Sequence, residues 1–274
     1  MDIRKTTQKY TLIYIITCLL ISNIMWYIGY SLYTKDAEHP IAMILIMLTS
    51  FMPAFITLFM TKVTKESWES LPLHPHPIAG FKAYLIAIVF TLLLVYLGDP
   101  LYLLIFKGNV TYAPEGCTLN GWLQVFLLCL LALAMSVEML GEELGWMGYL
   151  FPKLESLYGT TIAIVLIGLI RSLWHIGILI HMPHSIIGFF DLMISNIMCQ
   201  SLLVYITKKG KSVFPASVSH GITLLLPIFL VYSEEFYNQN LFAMKLVGQI
   251  SGLLIGGLCY YLLHKEALIN KNTV

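Results

Sequence analysis

Eight stretches of this chain are apolar for about 20 residues at a time, the length a helix needs to cross a hydrocarbon core about 30 Å thick. They lie near 10–32, 41–60, 83–106, 122–140 with a continuation, 162–180, 186–206, 214–232 and 244–263. Of the 274 residues 58% are hydrophobic and only 11% charged, far outside the range of soluble domains. The expected fold is all-α: a polytopic bundle of about eight transmembrane helices forming one integral membrane domain over 1–274, in a bacterial cell membrane.

Lys and Arg accumulate on the cytoplasmic side of membrane spans. With the N-terminus inside, Arg4, Lys5, Lys9, Lys62, Lys65, Lys82, Lys153, Lys208, Lys209, Lys211, Lys265 and Lys271 fall on cytoplasmic segments, 12 of the 16 basic residues. Only Lys35, Lys107 and Lys245 fall outside, and Arg171 lies within a span. This split favours both termini cytoplasmic. The first run is too long for a removable signal and lacks its small-residue cleavage site, so it reads as a retained helix. Five cysteines give no even disulfide set, and Cys18, Cys129, Cys199 and Cys259 sit in spans without metal-type spacing, as packing residues. No basic patch with interleaved aromatics points to nucleic acid.

Connections are short. The longest on the cytoplasmic side, 62–81, holds KESWESLPLHPHP, whose Trp68 and leucines suit the bilayer interface before the prolines break it. Those prolines also deny His74 and His76 a common helical face, which argues against a ligand pair. The outer loop 107–120, with Pro114, Gly116 and Cys117, reads as a turn region.

An ionisable group inside a span is costly unless paired or hydrated, so each is a functional candidate. The set is Asp99, Glu138, Glu142, Glu143, Arg171, His175, Asp191 and His220. Residues four apart share a helix face, whereas neighbours diverge by about 100°. Glu138, Glu142 and Trp146 therefore form one stripe and Met139, Glu143 and Met147 the next. Glu142 and Glu143 cannot aim at one point from an undistorted helix, so one is expected to react and the other to support. Arg171 and His175, also four apart, should project together from the fifth span and face the two acids as an ion-pair network; the alternative is a purely structural polar cluster. His220 lies about 9 Å along the seventh helix, among Ala216, Ser217, Ser219 and Gly221, which let neighbouring helices approach closely. Two imidazoles and two carboxylates from separate helices can serve as base, orienting group, oxyanion donor or metal ligands. Asp99, beside Pro100 in a kinked or re-entrant piece, and Asp191 are left unassigned.

Three segments carry a resemblance. EELGWMGYLFPKL from Glu142, GLIRSLWHIG from Gly168 and PASVSHGITLLL from Pro215 are similar, in order, to the motifs of the CAAX protease and bacteriocin-processing (Abi) family of intramembrane proteases, with a core at about 120–264. The resemblance implies that Glu142 activates water, His175 helps to position it, His220 polarises the scissile carbonyl and Glu143 holds the site together. It also implies a membrane-associated or lipidated peptide or protein as substrate. A divalent metal such as zinc is a possible cofactor with Glu142, His175 and His220 as candidate ligands, although there is no HExxH. Two positions depart from the pattern. Met147 stands where the family has arginine, and Leu224 where it has Asn or Asp. Arg171 and Thr223 are candidates to compensate, Arg171 as the replacement partner of Glu143.

For Glu142 to meet His175 in depth, the fourth helix must continue through Gly145 and Gly148 toward Leu150, and the fifth must start in the interface. The leading function is an intramembrane endopeptidase. The alternative is a catalytically impaired relative that acts as a membrane scaffold or regulator of a partner. A transporter is disfavoured because the halves show neither an inverted repeat nor paired broken helices.

Overall fold

The computed structural model describes residues 2–107, 119–181, 185–225 and 239–272. The loop holding Pro114, Gly116 and Cys117 lies outside them, as do the side chains of Asp99, Cys129 and Leu224. Among the described residues the chain is helical, with no strand: α1 Ile3–Tyr33, α2 Pro40–Thr64, α3 Phe81–Tyr96, α4 Gly98–Phe106, α5 Leu119–Glu143, α6 Phe151–Tyr158, α7 Thr160–Trp174, α8 Ile176–Leu179, α9 Ser185–Gly210, α10 Phe214–Leu225 and α11 Leu241–Asn272. A π-helical stretch, Leu144–Leu150, joins α5 to α6.

Four segments, Ile3–Tyr33, Pro40–Thr64, Gly188–Gly210 and Leu241–Ile269, are long and apolar enough to cross a membrane. With the composition they make this an integral membrane protein. The third apolar run is broken at Leu97 between α3 and α4, and the fifth at His175 between α7 and α8. In the third, Pro100 falls in the first turn of α4, where its missing N–H costs nothing.

Many large apolar side chains face outward while hydroxylic ones are buried, as expected where the solvent is lipid. Leu12, Ile16, Leu20 and Ile24 of α1 are exposed, while Ser22, Thr49, Thr57, Thr91, Ser217 and Ser219 are buried. Helices approach over glycines. A Cβ on Gly168 would sit 2.7 Å from Cα of Ile197, which brings α7 onto α9, and one on Gly221 would sit 2.8 Å from the Ala132 carbonyl, which brings α10 onto α5. In α2, Pro53 leaves its surroundings short of a donor, and its own carbonyl accepts from Thr57 Oγ1 at 2.8 Å and from Tyr14 Oη of α1 at 3.1 Å.

The HPHP segment is exposed, its two imidazoles 5.7 Å apart between centroids and His76 in a left-handed conformation (φ 43°). Cys18, Cys199 and Cys259 are free thiols. Asp191 of α9 pairs with Lys245 of α11 at 2.6 Å and accepts from Gln249 at 2.8 Å, which ties those helices together.

Candidate active site

Where α5 gives way to the π-helical stretch, Glu142 and Glu143 turn inward toward α7 and α10. Glu143 is fully buried and Glu142 is 5% exposed. Arg171 of α7, 3% exposed, donates from Nη1 to Glu143 Oε1 at 2.9 Å and from Nη2 to Glu142 Oε2 at 3.4 Å. Helical geometry forbids two adjacent carboxylates from aiming at one atom, and here they do not: the planar fork of a guanidinium is wide enough to take one on each arm. Two carboxylates against one guanidinium leave a charge imbalance in a buried place, and His220 of α10 stands beside it. Its Nδ1 lies 2.8 Å from Glu143 Oε1 and 3.9 Å from Glu142 Oε2.

Charge fixes the proton on that nitrogen. A carboxylate oxygen only accepts, so the 2.8 Å contact requires Nδ1–H of His220 to donate to Glu143. Arg171 Nη2, 3.2 Å from the same Nδ1, is then a second donor converging on the carboxylates rather than a partner of the ring. Nε2 of His220 is the nitrogen left for a substrate or water.

His175 is placed differently from the sequence expectation. It does not ride one continuous helix with Arg171: α7 ends at Trp174, and His175 takes φ −92°, ψ 2° in the break. Its Nδ1 donates to the Arg171 carbonyl at 2.8 Å, which that break leaves without its usual helical donor. None of its described hydrogen bonds reaches Glu142, Glu143 or His220. Asn23 of α1, an uncharged polar residue that a search for ionisable groups passes over, secures the break. It donates to the Leu173 carbonyl at 3.1 Å and accepts from Gly177 N–H at 2.7 Å. The only sequence signal is one amide in an otherwise apolar first run.

The supporting positions divide. Met147 and Trp146 are both buried in the π-helical stretch, and Trp146 packs edge-on against Trp174 with centroids 5.9 Å apart. Nε1 of Trp174, Nε of Arg171 and Oε2 of Glu143 are buried without a hydrogen-bond partner in the structure, so polar capacity remains around the cluster. Thr223 commits its hydroxyl hydrogen to the Ser219 carbonyl of its own helix at 2.7 Å. Glu138, one turn before Glu142, takes no part in the described ion pairs.

Glu142, Glu143 and His220 offer ligand atoms within 4.8 Å of one another, a spacing that suits a metal ion; His175 is not in that group. The charge balance does not suit one. Arg171 already sits on both carboxylates, and the near nitrogen of His220 already carries a proton toward Glu143. An ion held there would add its charge beside a guanidinium already bound to both carboxylates, although Glu143 Oε2 keeps no hydrogen-bond partner and could still serve as a ligand.

A family model described as Type II CAAX prenyl endopeptidase Rce1-like matches residues 121–226, the stretch that carries Glu142, Glu143, Arg171, His175 and His220. The chain is also similar to the CAAX prenyl protease 2 of Methanococcus maripaludis, 26% identical over 176 residues that cover 60% of this chain and 60% of the relative. Both findings support a relation to the CAAX protease and bacteriocin-processing family that the three segments quoted above resemble.

Proposed function

We propose that this protein is an intramembrane endopeptidase that hydrolyses a peptide bond of a lipidated, in particular prenylated, peptide or protein. The observation that carries the reading is the inequality of the two glutamates. Glu143 is held at short range by both Arg171 and His220, whereas Arg171 reaches Glu142 only at 3.4 Å and His220 stands 3.9 Å from it, and Glu142 has the greater access. A carboxylate held by two donors is a structural partner; the freer one is available to take a proton.

In this reading Glu142 accepts a proton from a water as the water oxygen bonds to the scissile carbonyl carbon. The same proton passes to the amide nitrogen as the C–N bond breaks. His220, doubly protonated, donates from Nδ1 to Glu143 and from Nε2 to the developing oxyanion, which is stabilised most where water is scarce. Glu143, itself held by Arg171, keeps that imidazole in place, and His175, anchored on the Arg171 carbonyl, stands by to position the water. Eight spans with both termini cytoplasmic complete the proposal, with the site opening toward the inner leaflet.

The test compares membrane and secreted peptides by mass spectrometry between cells carrying wild-type protein and Glu142→Gln, with a purified prenylated peptide assayed in parallel. Cleavage products that vanish with Glu142→Gln at normal protein level, and that persist in EDTA, support hydrolysis without a metal. An unchanged peptide profile and an unchanged phenotype in Glu142→Gln support the scaffold reading instead.

A further inference from the structure

Far from the glutamates, the start of α7 at Thr160, the last turns of α9 before Gly210 and the C-terminal part of α11 line an open cavity of about 280 Å³. About 16 Å of helical rise separates Thr160 from Arg171, so this is not the site described above. Its polar lining comes from Thr160, Tyr205, Lys208, Lys209, His264 and Glu266.

The charges there are paired in a particular way. Lys209 Nζ donates to Glu266 Oε1 at 2.7 Å, and Tyr205 Oη donates to the same oxygen at 3.0 Å. Lys208 Nζ donates to Glu155 Oε1 at 2.5 Å, an oxygen that also accepts from Thr160 Oγ1 at 2.5 Å. Each pairing converges on a single carboxylate oxygen. An ammonium has three donors and a carboxylate two oxygens, so both signs keep unused capacity around the cavity. A simple anion would compete with Glu155 and Glu266 for the lysines. A ligand with both a phosphate and an amine meets the spare N–H donors of Lys208 and Lys209 with one end and the free oxygen of Glu266 with the other. His264 donates from Nδ1 to the Tyr260 carbonyl at 2.9 Å, which leaves Nε2 as a further acceptor for the amine.

The surroundings indicate where such a ligand comes from. The cavity lies at the basic ends of α9 and α11, the level at which lysines collect on the cytoplasmic surface of a bilayer. Just inward, Ile162 and Val165 of α7 and Leu254, Leu258 and Tyr261 of α11 are exposed, an apolar path for acyl chains.

We propose that this cavity holds the phosphoethanolamine headgroup of a cytoplasmic-leaflet phospholipid. The full-length protein, purified in detergent, would be titrated with phosphatidylethanolamine, phosphatidylglycerol and soluble phosphoethanolamine and read by native mass spectrometry. One phosphatidylethanolamine is retained per chain, with phosphatidylglycerol at least several-fold weaker. Lys208→Gln with Lys209→Gln lowers that retention about tenfold or more, on the scale expected for two lysines near a phosphate. Lys62→Gln with Lys65→Gln, charges of the same end but outside the cavity, leaves it unchanged. Equal retention of the two lipids, wild-type retention by the double variant, or binding of soluble phosphoethanolamine as tight as that of the lipid each overturns the proposal. Should the double variant not fold, Glu266→Gln serves in its place. It removes the preference for the amine-bearing lipid if the assignment holds, and keeps it if the assignment is wrong.

Discussion

Arg171 resolves at the scale of single residues what the sequence left as a departure from a motif. Position 147, where the family has arginine, holds a methionine, and the Met147 side chain is buried among apolar neighbours. The guanidinium instead arrives from α7 and reaches Glu143 at 2.9 Å. Arg171→Met leaves Glu143 as a buried charge with His220 alone. Breaking a buried pair in this way costs about 3–5 kcal/mol, and both the thermal midpoint in detergent and cleavage fall. Adding Met147→Arg returns part of each, because the second arginine starts one turn from Glu143 on the same stripe. Full activity in the single variant would show that the guanidinium is dispensable. The identity of the acids was legible because carboxylates are rare in apolar runs. Which of them is held tightly was not, since that depends on donors from other helices.

At the scale of elements, the break between α7 and α8 decides where His175 points. A run of apolar residues with a histidine in it reads as one continuous helix, and no proline or adjacent glycine pair marks the interruption. What allows it is Asn23, which satisfies one carbonyl and one N–H that the break releases. Close approach of α1 permits that bond, and Gly177 permits the approach. A Cβ there would lie 2.5 Å from the Asn23 carbonyl oxygen and 2.8 Å from Trp26 Cβ. Gly177→Ala therefore lowers stability by about 1–3 kcal/mol through overpacking. Gly248→Ala on α11, with nothing within 4 Å of the added methyl, raises it by up to about 1 kcal/mol through helix propensity. Unfolding midpoints of the two variants in one detergent test the contrast. The continuation of the fourth run toward Leu150 was expected from depth alone; that it is π-helical was not, because the wider turn answers to the packing of Gly145 against Tyr14 and Pro53.

For the whole molecule, the basic residues carry the orientation. Arg4 and Lys5 stand at the start of α1, and Lys265 and Lys271 near the end of α11. If both ends are cytoplasmic, as proposed, Asp2→Cys and Lys271→Cys react with a membrane-impermeant maleimide only after the cells are opened. Glu38→Cys, in the exposed connection between α1 and α2, reacts on intact cells. Labelling of Lys271→Cys on intact cells would change the number of crossings to an odd one.

Apolar run length and the scarcity of charge were enough to make this a helical membrane protein and to mark Asp99, Glu138, Glu142, Glu143, Arg171, His175, Asp191 and His220 as candidates, because lipid penalises every unpaired ion it surrounds. Those are properties of each segment alone. Tertiary structure decided the rest: which carboxylate Arg171 and His220 hold tightly, where α7 stops, and that the guanidinium reaches both carboxylates at once. Such outcomes depend on which helices approach closely enough to share a proton, and residue spacing along one chain does not encode that distance.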